Sequence, residues 1–181
     1  MKKNIFLTTF LTIFFIIAFC FGFYPCRASA ASNLQKAQVS SFINKIPEFN
    51  SISCKFKQEK IIKGSTKPLI SGGNFKFIKE KGVYFETLYP IKSTVSYTNK
   101  EYKQINDIIT AISNKKYKAL EESFDFYFAK ENSDWVLLLK PKTSAQAGKY
   151  ISSIQIEGED TVKKIIILSK DGSKTTQWFQ K

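Results

Sequence analysis

Serine hydroxyls, lysine amines and the thiols of Cys20, Cys26 and Cys54 are among the side chains in this 181-residue sequence that could carry covalent chemistry. The sequence contains no histidine. A Ser-His-Asp triad, a histidine general base, a His/Cys zinc cage and a haem ligand pair are therefore excluded. A Ser/Lys hydrolase would need a nucleophile elbow or a Ser-x-x-Lys box in a supporting context, and neither is present. The residues read as those of a non-enzyme, with no cofactor and no metal.

The remaining chemistry is that of charge and apolar surface. Lys+Arg 28 stand against Asp+Glu 15, and Arg27 is the one arginine. Guanidinium forks are what read guanine edges and clamp phosphates bidentately, so no nucleic-acid partner is expected. The lysines scatter along the chain instead of clustering. That spacing suits a solvated positive surface, or one drawn to anionic membranes or acidic partners within a Debye length.

The first thirty residues read as an export signal. Met1, Lys2 and Lys3 form a positive start, Ile5 to Tyr24 is almost wholly apolar, and Ala28-Ser29-Ala30 has the small-x-small form of a cleavage site. The apolar run is also long enough to span a bilayer as an uncleaved anchor, and the cleavage site favours removal. Neither Cys20, after Phe19, nor Cys26, after Pro25, has the small residue before it that lipidation would need. Cleavage after Ala30 would remove Lys2, Lys3 and Arg27 from the 28 cations, leaving 25 against 15 acids, or +10. Residues 31–181 are then expected to form one exported domain, a monomer. Cys54 would be its only cysteine, so no internal disulfide can form. Its alternation with Ile52 and Phe56 makes it a structural thiol on the apolar side of a strand.

The elements follow from periodicity. Val39, Phe42, Ile43 and Ile46 are spaced i, i+3, i+4, i+7, which predicts an amphipathic helix over 33–46 closed by Pro47. From Ser51 the period is two. Ile52, Cys54 and Phe56, then Phe75 and Phe77, Val83 and Phe85, and Val95 and Tyr97 alternate with polar residues, with turn signals at Gly64, Gly72-Gly73 and Lys81-Gly82. Between Asp107 and Leu120 a second helix is expected, with Ile108, Ile109 and Ile112 on one side. Further strands start near Phe124, Trp135, Tyr150, Val162 and Thr175, giving about nine in all. So many strands in one domain should curl into a barrel or part of one. Its inside would be either a packed core or a cavity for an apolar ligand, with the helices as a lid.

The order of these elements resembles the LolA family of periplasmic outer-membrane lipoprotein carriers. The strings that carry the likeness are Cys54-Lys-Phe-Lys-Gln58, Ser71-Gly-Gly-Asn-Phe-Lys-Phe77, Gly82-Val-Tyr-Phe-Glu86 with Tyr89-Pro90, Trp135-Val-Leu-Leu-Leu-Lys-Pro-Lys142, and Asp171-Gly-Ser-Lys-Thr175. The resemblance implies an incomplete antiparallel β-barrel covered by a helical lid, as in LolA and LolB. Its cavity for acyl chains would be walled by Phe75, Phe77, Val83, Phe85, Val95, Phe126, Trp135, Leu137 and Ile154, with Ile108, Ile109 and Ile112 as lid. The arginine that closes the family's lid through backbone hydrogen bonds falls here at Lys79, followed by Glu80 in place of proline, so closure should differ. The implied cargo is an acylated lipoprotein, taken from an inner-membrane ABC transporter of the LolCDE type and passed to the outer membrane, where a LolB-type receptor would accept it. Carriage of another lipid or glycolipid, or a packed interaction module without cargo, stays open.

Overall fold

The computed structural model describes residues 33–95 and 103–181. The expected signal segment and Tyr97 lie outside the described residues, as does the side chain of Val95. Ten strands make one antiparallel sheet: β1 (Gln35–Ala37), β2 (Ser51–Ile61), β3 (Leu69–Ile78), β4 (Gly82–Tyr89), β5 (Ser93–Val95), β6 (Phe124–Glu131), β7 (Asp134–Pro141), β8 (Ile151–Gly158), β9 (Val162–Ser169) and β10 (Lys174–Gln180). Their order is β1-β6-β7-β8-β9-β10-β2-β3-β4-β5, so the sheet is open and its edges are the two three-residue strands.

Among the described residues three α-helices accompany the sheet, α1 (Val39–Phe42), α2 (Lys103–Ser113) and α3 (Lys118–Glu121), with a 3-10 helix at Gln146–Lys149. The helix expected over 33–46 is much shorter than its periodicity implied. Gln35–Ala37 instead pairs with β6, Gln35 opposite Phe128 and Ala37 opposite Phe126, giving that edge strand the partner it lacks. The apolar set still shares one side, with Phe42 and Ile46 buried and Val39 and Ile43 packed against the core. The second expected helix is cut in two at Lys115, whose φ of 55° ends α2 in the left-handed region.

Alternation decides the faces. Ile52 and Phe56 of β2, Phe75 and Phe77 of β3, Val83 and Phe85 of β4, Phe124, Phe126 and Phe128 of β6, Trp135, Leu137 and Leu139 of β7, Ile154 and Ile156 of β8, Ile165 of β9 and Phe179 of β10 are all buried. They belong to one continuous core that also takes in Phe42, Ile46, Phe49, Ile108, Ile109, Ile112, Tyr117 and Leu120 from the helical segments. Strands two apart in a flat sheet are separated by about 9.5 Å. Yet the rings of Phe56 and Phe85, on either side of β3, lie 5.1 Å apart, and those of Phe75 and Phe179, on either side of β2, lie 4.5 Å apart. Both pairs are diagonal in register, and a small residue stands opposite one ring of each: Gly73 opposite Phe56 and Cys54 opposite Phe75. Gly73 also sits at a register shift, where an added Cβ would lie 1.9 Å from the Glu86 carbonyl oxygen. No larger residue fits there without moving β4.

Candidate functional site

The apolar side of the sheet and the helices over it form the candidate site. Of the expected wall residues, Phe75, Phe77, Val83, Phe85, Phe126, Trp135, Leu137 and Ile154 come together on that side, none more than 4% exposed. Val95 pairs through its backbone with Phe85. Ile108, Ile109 and Ile112 lie buried beneath α2. The wall side chains fill space among themselves and against the helices. A cavity of about 480 Å³ lies elsewhere, lined by Ile108, Thr110, Ala111, Asn114, Leu120, Phe124 and Ala147, with Asp107 and Lys116 among its charged neighbours. Of the expected site residues, Ile108 alone lines it.

Towards one end of the strands this apolar floor gives way to a polar row. Gln177, Gln58 and Ser71 stand opposite one another on β10, β2 and β3. Gln177 Nε2 donates to Gln58 Oε1 at 2.7 Å, and Gln58 Nε2 donates to Ser71 Oγ at 3.3 Å. Gln177 is buried and its Oε1 has no hydrogen-bond partner.

Directional contacts tie the helical segments to the sheet and to each other. Asn106 Oδ1 accepts the Val83 N–H at 3.0 Å, and Ser113 Oγ donates to the Phe49 carbonyl at 2.8 Å. Lysines do the rest. Lys115 Nζ donates to the Ile43 carbonyl at 2.7 Å and also to that of Ile46, tying the end of α2 to the segment that follows α1. Lys130 on β6 reaches the Lys45 carbonyl at 2.9 Å, and Lys142 after β7 reaches that of Glu121 at the end of α3. Burial lowers the pKa of the Lys115 ammonium, and Glu48 works the other way. The resemblance put lid closure on Lys79. That residue lies half-buried after β3 with its backbone N–H on the Asn50 carbonyl. Lys115, not Lys79, is the lysine here whose ammonium donates to two backbone carbonyls, and no spacing in the sequence singled it out. Its one legible signal is a lysine at a helix C-terminus, where unpaired carbonyls collect.

Beneath the helices several polar atoms are buried without partners. Thr110 Oγ1 and Asn114 Oδ1 are one turn apart on and just past α2, and the Tyr117 hydroxyl stands edge-on to Phe42 and Phe126. Desolvation holds the Tyr117 phenol well above its ordinary pKa. Cys54 is half-buried, and burial pushes its thiol pKa up. Among the described residues no three of His, Cys, Asp or Glu gather as metal ligands would.

No protein-family model matches this chain, and no curated protein matches its sequence.

Proposed function

We propose that this chain is an exported, non-enzymatic carrier of acyl chains. The observation that carries the reading is the continuous Phe- and Ile-rich side of a ten-stranded sheet, covered by short helices held by a few lysine-to-carbonyl bonds. The aromatic rings that meet across β2 and β3 favour a sheet bent towards that side, as the incomplete barrel of the LolA-like reading requires. A roughly 16-carbon acyl chain costs on the order of 12 kcal/mol to hold in water. An acylated protein released from an inner-membrane ABC transporter cannot cross an aqueous compartment without shelter of this kind. In the state described the wall residues occupy the space themselves, so cargo enters by displacing α2 and α3. Handover needs only a receptor or membrane that holds the acyl chains more tightly. Lipoproteins are the cargo of the leading reading, and a glycolipid or free lipid would use the same wall.

The close packing of Phe75, Phe85, Trp135 and Leu137 favours a second reading, a filled core in an interaction module. Displacement of a fluorescent fatty acid separates the two. A carrier releases the dye when acyl cargo is added and loses binding on Phe85→Glu, while Lys115→Met, which leaves the wall intact, keeps binding. No dye uptake by either the parent or Lys115→Met would establish the filled core.

A further inference from the structure

Beyond the polar row, the strands run out into a rim that is both apolar and basic. Residues 60–70, Lys-Ile-Ile-Lys-Gly-Ser-Thr-Lys-Pro-Leu-Ile, are exposed at every position and contain no acid. Leu69 is 59% exposed and Ile61 and Ile62 are each 41% exposed, unusual for such side chains. The end of β4 and the loop after it continue the pattern with Leu88 and Ile91, the latter 77% exposed, followed by Lys92. The ends of β9 and β10 and the turn between them add Leu168, Lys170 and Lys174.

These three loops adjoin. Ile61, Lys174 and Leu168 share one row of the sheet, the Lys63 side chain lies against Gly172, and the Tyr89 ring lies against Gly72. These segments hold six lysines, at 60, 63, 67, 92, 170 and 174, against Glu59 and Asp171, and Glu86 lines a groove with Leu88 and Lys92. At the other end of the sheet the loops carry Glu80, Glu131, Asp134, Glu159 and Asp160 among their lysines. The positive charge is therefore one-sided, and it coincides with the exposed apolar side chains.

We propose that this rim docks on the surface of a bilayer containing anionic lipids, with Leu69, Ile61, Ile62 and Ile91 entering the headgroup region and the lysines meeting lipid phosphates. Compact ammonium groups on flexible stems suit mobile phosphates, and an anionic surface attracts each nearby lysine within a Debye length. The proposed contact is interfacial, made by rim side chains; among the described residues no helix is long and apolar enough to cross a membrane. The rim lies outside the wall of the carrier reading, so docking stands whether or not the wall takes acyl chains.

The test uses the full chain as isolated after expression, with phosphatidylcholine vesicles made with or without phosphatidylglycerol. A tryptophan introduced by Leu69→Trp reports contact through quenching by brominated acyl chains, and Glu131→Trp at the opposite end is the control. The expected result is quenching at position 69 alone, only on anionic vesicles, lost at high salt. The paired change Lys63→Glu with Lys67→Glu should weaken it about tenfold or more. Attachment through the N-terminal segment would persist in salt and leave position 69 unquenched, which would overturn the proposal. So would equal quenching at both positions, or on neutral vesicles.

Discussion

Lysine has two jobs in this chain, and the residue scale separates them. Lys115 and Lys130 satisfy backbone carbonyls of the segment after α1 and Lys142 that of Glu121 in α3, whereas the rim lysines are exposed. Hydrogen bonds from a charged donor contribute roughly 1.5–3 kcal/mol, so Lys115→Met should lower stability by about that amount in urea denaturation. It should also raise binding of a hydrophobic dye if it loosens the cover, and a stability unchanged from the parent would deny the lash. Tyr117→Phe should behave oppositely. Its hydroxyl is buried without a partner, which costs about 1–3 kcal/mol, so removing it should leave stability unchanged or higher. Cys54 is held in its thiol form by burial, so alkylation at mildly alkaline pH should be slower than for a free cysteine until the chain unfolds. Asp171 titrates the other way. Its carboxylate accepts the Ser173 N–H at 2.8 Å, which depresses its pKa in the folded state. The folded state thus gains stability above the unfolded carboxylate's pKa and loses it as pH falls through the depressed value. Asp171→Asn should flatten the acid limb of the pH–stability profile.

At the scale of elements, the sheet was legible because period-two alternation in β2, β3, β4 and β6 marks one buried side strand by strand. The residues it marks, Phe75, Phe85, Phe126 and Leu137, do share that side. The short edge β1 was not legible. Gln35–Ala37 carries no alternation, and its strand state comes from pairing with β6, a partner ninety residues away that local periodicity cannot register. For the same reason the helix expected over 33–46 shrank to Val39–Phe42, although its apolar spacing was sound. The candidate site was read less well. Apolar residue types identify a wall without saying whether a ligand or their own neighbours fill it, and Lys115 acts through carbonyls that no sequence spacing reveals. Close backbone approach gives the element scale its prediction. Gly158 leaves room for the Trp135 indole, where an added Cβ would lie 2.3 Å from a ring carbon. Gly158→Ala should therefore cost on the order of 1–3 kcal/mol through overpacking and disturb the β7–β8 register.

The whole molecule is built along the strands of β2, β3 and β10. Buried aromatics come first, then the Gln177–Gln58–Ser71 row, then the exposed basic rim. In the carrier reading, cargo rests over the first and is exchanged by movement of the helices that cover it. The central claim is that acyl chains reach the apolar side of the sheet. The most direct measurement is photo-crosslinking in living cells from a photoreactive residue at Phe85, with Lys76 on the other side of the sheet as control, followed by mass spectrometry of the adducts. The account predicts acyl-bearing adducts from position 85 and none from position 76. Adducts without lipid, or the same adducts from both positions, would contradict it.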